Sequence, residues 1–224
     1  MSIDKVLEAA EIKWIGQGPF STLYGDIYFD GDGVKEFYSV HWEQIRLNKD
    51  TRTSNHFTIV ELGFGSGLNF LLAAQEITKD TDLYLHYIGI ESRPISDEDW
   101  SIFDSQRQNL KYARELRASN IPRLGGWHRR IFDGGRVRLS LFHGDVAQGL
   151  VDINLYQHAR IDAWFLDGFA PSKNPEMWSE RVFDHISRNS FSGTTVTSFT
   201  SAGSVRKNLE SAGFSVTVSY THLR

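Results

Sequence analysis

Cysteine is absent from this 224-residue chain, which excludes disulfides, thiolate zinc sites and cysteine nucleophiles together. No run of about 18 or more apolar residues occurs, so no stretch reads as a membrane-crossing helix. The opening residues Met1-Ser2-Ile3-Asp4-Lys5 lack the basic-then-apolar build of a secretory signal, and a cytoplasmic protein is the expectation. The eight histidines show no His-x-x-x-His or similar ligand spacing, so no metal is expected. Internal repeats and low-complexity linkers are missing as well. What is present, 40% hydrophobic and 13% aromatic residues, describes a globular chain expected to form a single domain.

Overall excess of either charge is small, at −4, but the distribution is uneven. Between Arg107 and Arg138 nine basic residues (Arg107, Lys111, Arg114, Arg117, Arg123, Arg129, Arg130, Arg136, Arg138) face only Glu115 and Asp133. Eight of the nine are arginine, whose guanidinium forks onto phosphate oxygens, so the block is a candidate nucleic-acid contact. A solvated helix face is the alternative.

The most informative segment is Glu61-Leu62-Gly63-Phe64-Gly65-Ser66-Gly67-Leu68-Asn69-Phe70. It follows the apolar run Phe57-Thr58-Ile59-Val60 and precedes Leu71-Leu72-Ala73-Ala74, as a strand running through a glycine turn into a helix does. The dinucleotide fingerprint needs a glycine where Leu68 stands. Glu61 repels a phosphate but accepts from an ammonium or hydroxyl. S-adenosylmethionine has those donors and no phosphate.

Beyond residue 50, strands are predicted at about 57–62, 84–91, 136–142, 161–167 and 194–199, and helices at about 66–78, 97–118, 145–152, 175–189 and 203–212. Their alternation, with strands apolar throughout, predicts an α/β fold with a mostly parallel, doubly wound, Rossmann-like sheet over residues 51–224. Residues 1–50 form an extension packed on it. There, Pro19–Phe29 and Val34–Val40 read as a β-hairpin around Asp30-Gly31-Asp32-Gly33, while Trp127–Asp133, bracketed by Gly125-Gly126 and Gly134-Gly135, reads as a loop or short hairpin.

Ligands of such sheets lie beyond the strands' carboxyl ends, and an acidic residue stands at or past four of them: Glu61, Glu91, Asp145 in His143-Gly144-Asp145, and Asp167. Glu91 sits where a carboxylate chelating ribose hydroxyls belongs. Asp145 faces an adenine amino group or merely caps the next helix. After the fourth strand, Asp167-Gly168-Phe169-Ala170-Pro171-Ser172-Lys173-Asn174-Pro175 makes a stiff loop. Asp167 suits binding an ammonium and accepting or relaying its proton during methyl transfer, or else caps a helix. Phe169 suits stacking on a pyrimidine, or plugging the core. Lys173 suits a phosphate, and Ser201 is an N-cap or a substrate-side hydroxyl.

The glycine turn, the segment Asp162–Trp178 and Ser198-Phe199-Thr200-Ser201-Ala202-Gly203 together resemble the methyltransferase domain of the bacterial bifunctional tRNA 5-methylaminomethyl-2-thiouridine biosynthesis proteins, from about Phe20 to Phe214. The resemblance implies a class I S-adenosylmethionine-dependent methyltransferase that converts 5-aminomethyluridine, with or without 2-thiolation, to 5-methylaminomethyluridine at the tRNA wobble position. Its cofactor positions fall on Glu61, Gly63, Phe64, Gly65, Gly67, Asn69, Glu91, Gly144, Asp145 and Asp167, with Asp167 catalytic and Phe169, Pro171, Lys173 and Ser201 on the substrate side. The family continues into an FAD-dependent oxidase domain, which this chain lacks, so a stand-alone member or a fragment is expected, with any oxidase a separate partner. Ser215–Arg224 stops short of the family's basic segment and last strand, and an incomplete sheet edge is expected. Two alternatives stay open: an N-methyltransferase acting on a small molecule or protein, and an inactive cofactor- or RNA-binding module.

Overall fold

The computed structural model describes residues 5–16, 18–29, 32–45, 54–156 and 160–218, the side chains of 154–156 excepted. Two sheets form. A small antiparallel one joins β1 (Ile12–Ile15), β2 (Gly18–Ser21) and β3 (Asp26–Ile27) in that order. The large one contains β4 (His56–Leu62), β5 (Tyr84–Glu91), β6 (Gly126–Phe132), β7 (Val137–His143), β8 (Ala163–Leu166) and β9 (Thr195–Ser198), in the order β6-β7-β5-β4-β8-β9. All its pairings are parallel except β6 with β7. The chain winds outward from β4 through β5 to β7, then crosses back to β8 and β9. The order therefore reverses beside β4, where this kind of sheet opens a ligand crevice.

From Phe57 to Leu62 both faces of β4 are buried, which is why this stretch is apolar at every step except Thr58 and Glu61. Ile59 and Phe57 join Phe37, Phe70, Leu71 and Ala74 on the side of α2 (Leu68–Ile77). Val60 and Leu62 meet Leu150, Val182, Phe183 and Val205 from α5 (Val146–Tyr156), α6 (Glu180–Arg188) and α7 (Gly203–Ser211). Register sets Leu62 abreast of Ile90 and Leu166, so Gly63, Glu91 and Asp167 leave the sheet at one level.

Four expectations change. The hairpin around Asp30–Gly33 does not form: β2 and β3 pair instead across residues 22–25, and the second run is helical, as α1 (Gly33–Glu36) followed by a π-helical turn (Phe37–His41). Asp32 caps this helix by accepting from the backbone N–H groups of Val34 and Lys35, both at 3.1 Å, and Phe37 and His41, four apart, bury on one face. Asp30 and Gly31 lie outside the described residues. The single helix at 97–118 is two, α3 (Asp97–Arg107) and α4 (Ala113–Ala118), because Tyr112 takes a left-handed conformation (φ 67°) whose buried ring carries a hydroxyl donating to Asp133 at 2.8 Å. The helix at 175–189 begins as a 3-10 turn (Pro175–Trp178) and restarts after an extended Ser179. Finally, Trp127–Asp133 is mostly the strand β6, hairpinned onto β7.

Past α7, residues 214–218 adopt no strand, and residues 219–224, on which the expected incomplete edge also bears, lie outside the described part. Among the described residues β9 is the sheet's last strand on that side. None of the described helices is long and apolar enough to cross a membrane.

Candidate active site

The strand ends converge on a cavity of about 280 Å3. Its walls include Glu61, Gly63, Phe64, Gly65 and Asn69 after β4, Glu91 after β5, Gly144 and Asp145 after β7, and Asp167 and Phe169 after β8. Four carboxylates predicted from spacing thus share one space.

The floor is a carboxylate pair bridged by an amide. Asn69 Nδ2 donates to Glu61 Oε1 and to Asp167 Oδ2, each at 2.7 Å, and because both partners are carboxylates the amide nitrogen must face them. Glu61 is 1% exposed; its other oxygen, Oε2, is buried and short of full hydrogen-bond geometry, with the equally buried Tyr87 hydroxyl interacting with the carboxylate. Burial first, then the charge of Asp167, raises Glu61 well above the usual carboxylate range. Tyr87 and Asn69 offset only part of the cost of burying this carboxylate, and a ligand that brings an ammonium offsets more.

Glu91 accepts from Gly65 N–H through Oε2 and from Arg93 N–H through Oε1, both at 2.8 Å. Desolvation raises its pKa, opposed by backbone N–H groups including those of Arg93 and Gly65. Each oxygen keeps a lone pair for a hydroxyl donor. Asp145, exposed, accepts from Ala147 and Gln148 N–H at 2.9 and 3.3 Å through Oδ1, so its capping role is realised while the residue also borders the cavity.

The glycine turn is not a phosphate cradle. Gly63 and Phe64 N–H donate to Ile90 carbonyl, Gly65 to Glu91 and Gly67 to Phe64 carbonyl, leaving these four donors engaged. Gly63 (φ 93°) permits a close crossing, since a Cβ there would lie 2.8 Å from the Asp167 carbonyl oxygen. Gly67 does not line the cavity; a Cβ on it would strike the Phe64 ring at 2.9 Å, so it serves packing. Arg107 fastens the turn from below through Ser66 carbonyl, held in turn by Asp104 at 3.1 Å and stacked over Trp100 at 4.5 Å.

Sequence reasoning missed the roof. Tyr24, Asp26, Tyr28, Glu36 and His41, all from the first 45 residues, line the cavity. Tyr24 stacks on Phe169 (4.6 Å, 29°) and Tyr28 meets it edge-on (5.1 Å), so one face of Phe169 is already covered. Asp26 Oδ2 accepts from Ala170 N–H at 3.0 Å, tying the small sheet to the loop after Asp167. The signal that could have shown His41 is the Asp32 cap with Phe37 and His41 one helical turn apart. Pro171, Lys173 and Ser201 do not line the cavity. The Lys173 ammonium lies against Gly25, while Ser201 borders a groove beside β9 and is no N-cap, since Ala202 holds that position of α7. Trp178 is buried and donates to Phe169 carbonyl at 2.9 Å.

The basic block does not form one surface. Arg107 is 6% exposed, and Lys111, Arg117, Arg123, Arg130 and Arg136 are bound to hydroxyl, acidic or carbonyl groups of this chain. Arg114, Arg129 and Arg138 stand exposed, on α4, β6 and β7. These positions lie on the β6 side of the sheet, whereas the Phe169 loop leaves β8.

An acceptor-rich cavity with Arg93 as its one lysine or arginine among the described residues suits a cationic ligand bearing hydroxyl and amino donors. The buried Glu61 carboxylate and the doubly anchored Glu91 fit the amino acid and ribose ends of S-adenosylmethionine, which supplies a methyl group on a sulfonium. Fold and site together define an S-adenosylmethionine-dependent methyltransferase of Rossmann-like architecture. Comparison with known proteins gives the family. Residues 108–221 match the family described as S-adenosyl-L-methionine-dependent methyltransferase, and the chain belongs to it. The chain is 42% identical over 216 residues to the tRNA 5-methylaminomethyl-2-thiouridine biosynthesis bifunctional protein MnmC of Methylobacillus flagellatus, and 39% over 214 residues to the protein of that name in Chromobacterium violaceum. Each comparison covers 92% of this chain but 32% of the relative, so the chain spans about a third of their length. Its fold is similar to the crystal structure of MNMC2 from Aquifex aeolicus, with a TM-score of 0.72 and 21% identity over 93% of this chain and 65% of that one.

Proposed function

We propose that the chain transfers a methyl group from S-adenosylmethionine to the primary amine of 5-aminomethyluridine, with or without 2-thiolation, at the tRNA wobble position, giving 5-methylaminomethyluridine. The observation that carries this reading is the Asp167 carboxylate. One of its oxygens is fixed by Asn69 and the group stays partly open to the cavity, at 26% side-chain exposure, in a chain 42% identical to a relative named for this biosynthesis. A primary alkylamine is mostly protonated near neutral pH, so a carboxylate at the reacting end both binds it and favours loss of its proton toward a base.

Within this reading Glu61, with Asn69 behind it, receives the cofactor's ammonium. Glu91 chelates the ribose, Gly144 and Asp145 meet the adenine, and Gly63, Phe64 and Gly65 form the turn beneath. Phe169, with Tyr24 and Tyr28, frames the uracil, while Pro171 and Lys173 stand outside the cavity where the tRNA chain continues. The amine would come from an FAD-dependent oxidase activity acting before this step.

The test is methyl transfer to tRNA bearing 5-aminomethyluridine, read by nucleoside mass spectrometry, beside calorimetric titration with S-adenosylmethionine. Asp167→Asn is expected to lower turnover about 10²–10⁴-fold while moving cofactor affinity far less. Unchanged turnover removes Asp167 from the chemistry, and methylation of free amines in preference to tRNA removes the tRNA reading.

A further inference from the structure

His41 lines the cavity opposite Asn69, yet none of the roles above uses it. It closes the π-helical turn Phe37–His41, a rare geometry concentrated at functional sites, and is 1% exposed with its ring stacked on Phe165 at 4.5 Å. Its Nδ1 lies 2.7 Å from Thr197 Oγ1. That hydroxyl also lies 3.2 Å from the Trp164 carbonyl, and with its single proton directed there it accepts from the ring. In that arrangement Nδ1 carries the hydrogen and Nε2 presents a lone pair.

Nε2 is 3.8 Å from Asp167 Oδ1, beyond hydrogen-bond reach, while Asp167 Oδ2 is engaged by Asn69. Two acceptors thus face each other with no proton between them. A nitrogen about 2.8 Å from both closes a triangle with an angle of about 85° at that nitrogen, within reach of two N–H bonds of one ammonium. An imidazole is a stronger base than a carboxylate by roughly 2.5 pH units, hence the better receiver of an alkylammonium proton.

We propose that His41 is the catalytic base of the methyl transfer, a proposal that rests on the amine-substrate reading above. The substrate ammonium donates one N–H to Asp167 Oδ1 and one to His41 Nε2. The second proton passes to Nε2, giving an imidazolium paired with Asp167 and a neutral amine. The amine turns its lone pair to the methyl carbon; the N–C bond forms as the C–S bond breaks with its electron pair left on sulfur, and the product is a secondary ammonium. The charged groups around His41 are Asp167 beyond β8, Glu61 at the end of β4 and Glu36 on its own helical segment, while β9 contributes the uncharged Thr197.

The test compares wild type, His41→Asn and Thr197→Val in single-turnover transfer to tRNA bearing 5-aminomethyluridine from pH 6 to 10. His41→Asn is expected to keep cofactor affinity within about twofold by calorimetry and to lose about 10²–10⁴-fold in rate at pH 7. The deficit closes about tenfold per pH unit as the solution itself deprotonates the amine, and added imidazole restores part of the rate. Thr197→Val loses less, with the same closing, and ¹⁵N NMR of the full chain shows an Nδ1-protonated His41 in the wild type whose tautomer preference is lost in this variant. A loss that is equal at every pH and ignores imidazole, or an undiminished rate, overturns the proposal. A wild type that binds the cofactor but methylates no amine-bearing tRNA overturns the substrate reading, and His41 as its base with it.

Discussion

Glu61 carries a conflict between stability and binding. Its folded pKa is raised, by burial and then by Asp167, so its proton contributes stability that is fully present below the unfolded value near ~4.3 and lost as pH rises through the folded value. Above that value the chain holds a buried charge that hydrogen bonds from Asn69 and Tyr87 offset only in part. Glu61→Gln keeps the shape and removes the charge. It should raise Tm at pH 8 by about 2–4 °C for each ~1 kcal/mol recovered, raise it less at pH 5, and weaken S-adenosylmethionine binding about tenfold or more. Scanning calorimetry at both pH values and titration with the cofactor check this; a variant less stable at pH 8 than at pH 5 relative to wild type contradicts the burial argument. The carboxylate was legible in the sequence because a strand end is a fixed place in this fold, and Glu91 and Asp167 were legible for the same reason. His41, Tyr24 and Tyr28 were not. They reach the cavity from an extension whose aromatic and β-branched composition reads as strand, and only the packing of that extension over β8 and β9 aims them inward.

Backbone meets backbone closely where β4 and β8 end side by side. Gly63 has φ 93°, and a Cβ on it would lie 2.8 Å from the Asp167 carbonyl oxygen and 3.1 Å from Gly168 Cα, backbone atoms that cannot rotate away. Gly134 has φ 60° but nothing within 4 Å of its Cβ position. Both substitutions to alanine incur the left-handed backbone cost of about 1 kcal/mol; only Gly63→Ala adds a clash. Gly63→Ala should therefore lose about 2–4 kcal/mol in denaturant unfolding and most methyl transfer, against about 1 kcal/mol and full activity for Gly134→Ala. Equal losses would mean that the close crossing carries no weight. At this scale the five core strands were predicted within a few residues, because strands buried on both faces are apolar throughout. The breaks in the helices were hidden, since Tyr112 and Ser179 interrupt them through backbone conformations set by tertiary contacts rather than by proline or glycine. Strand β6 was hidden in the same way: Arg129 and Arg130 look like loop residues until β7 pairs with them.

Across the whole molecule, the proposed function asks an acidic cavity to accept a nucleoside attached to a polyanion. Long-range attraction has to come from elsewhere, and of the nine basic residues between 107 and 138 those standing exposed are Lys111, Arg114, Arg129 and Arg138, with Lys111 drawn to Asp133 at 3.9 Å. Arg107, by contrast, is spent on the glycine turn, and burial lowers its pKa against the pull of Asp104. These two kinds of arginine should separate experimentally. Combined replacement of Arg114, Arg129 and Arg138 by alanine should leave Tm and cofactor affinity nearly unchanged, weaken tRNA binding at low salt, and flatten the slope of log affinity against log salt by roughly 0.7–0.9 for each phosphate contact removed. Arg107→Lys should do the reverse, because an ammonium cannot reproduce the stack on Trp100 or the two-pronged hold on Asp104 and Ser66: Tm falls, cofactor binding weakens as the turn loosens, and the salt slope stays. A slope unchanged in the triple variant removes the β6 side of the sheet from the proposed tRNA interface and turns the test to the Phe169 loop, with Lys173 beside Gly25.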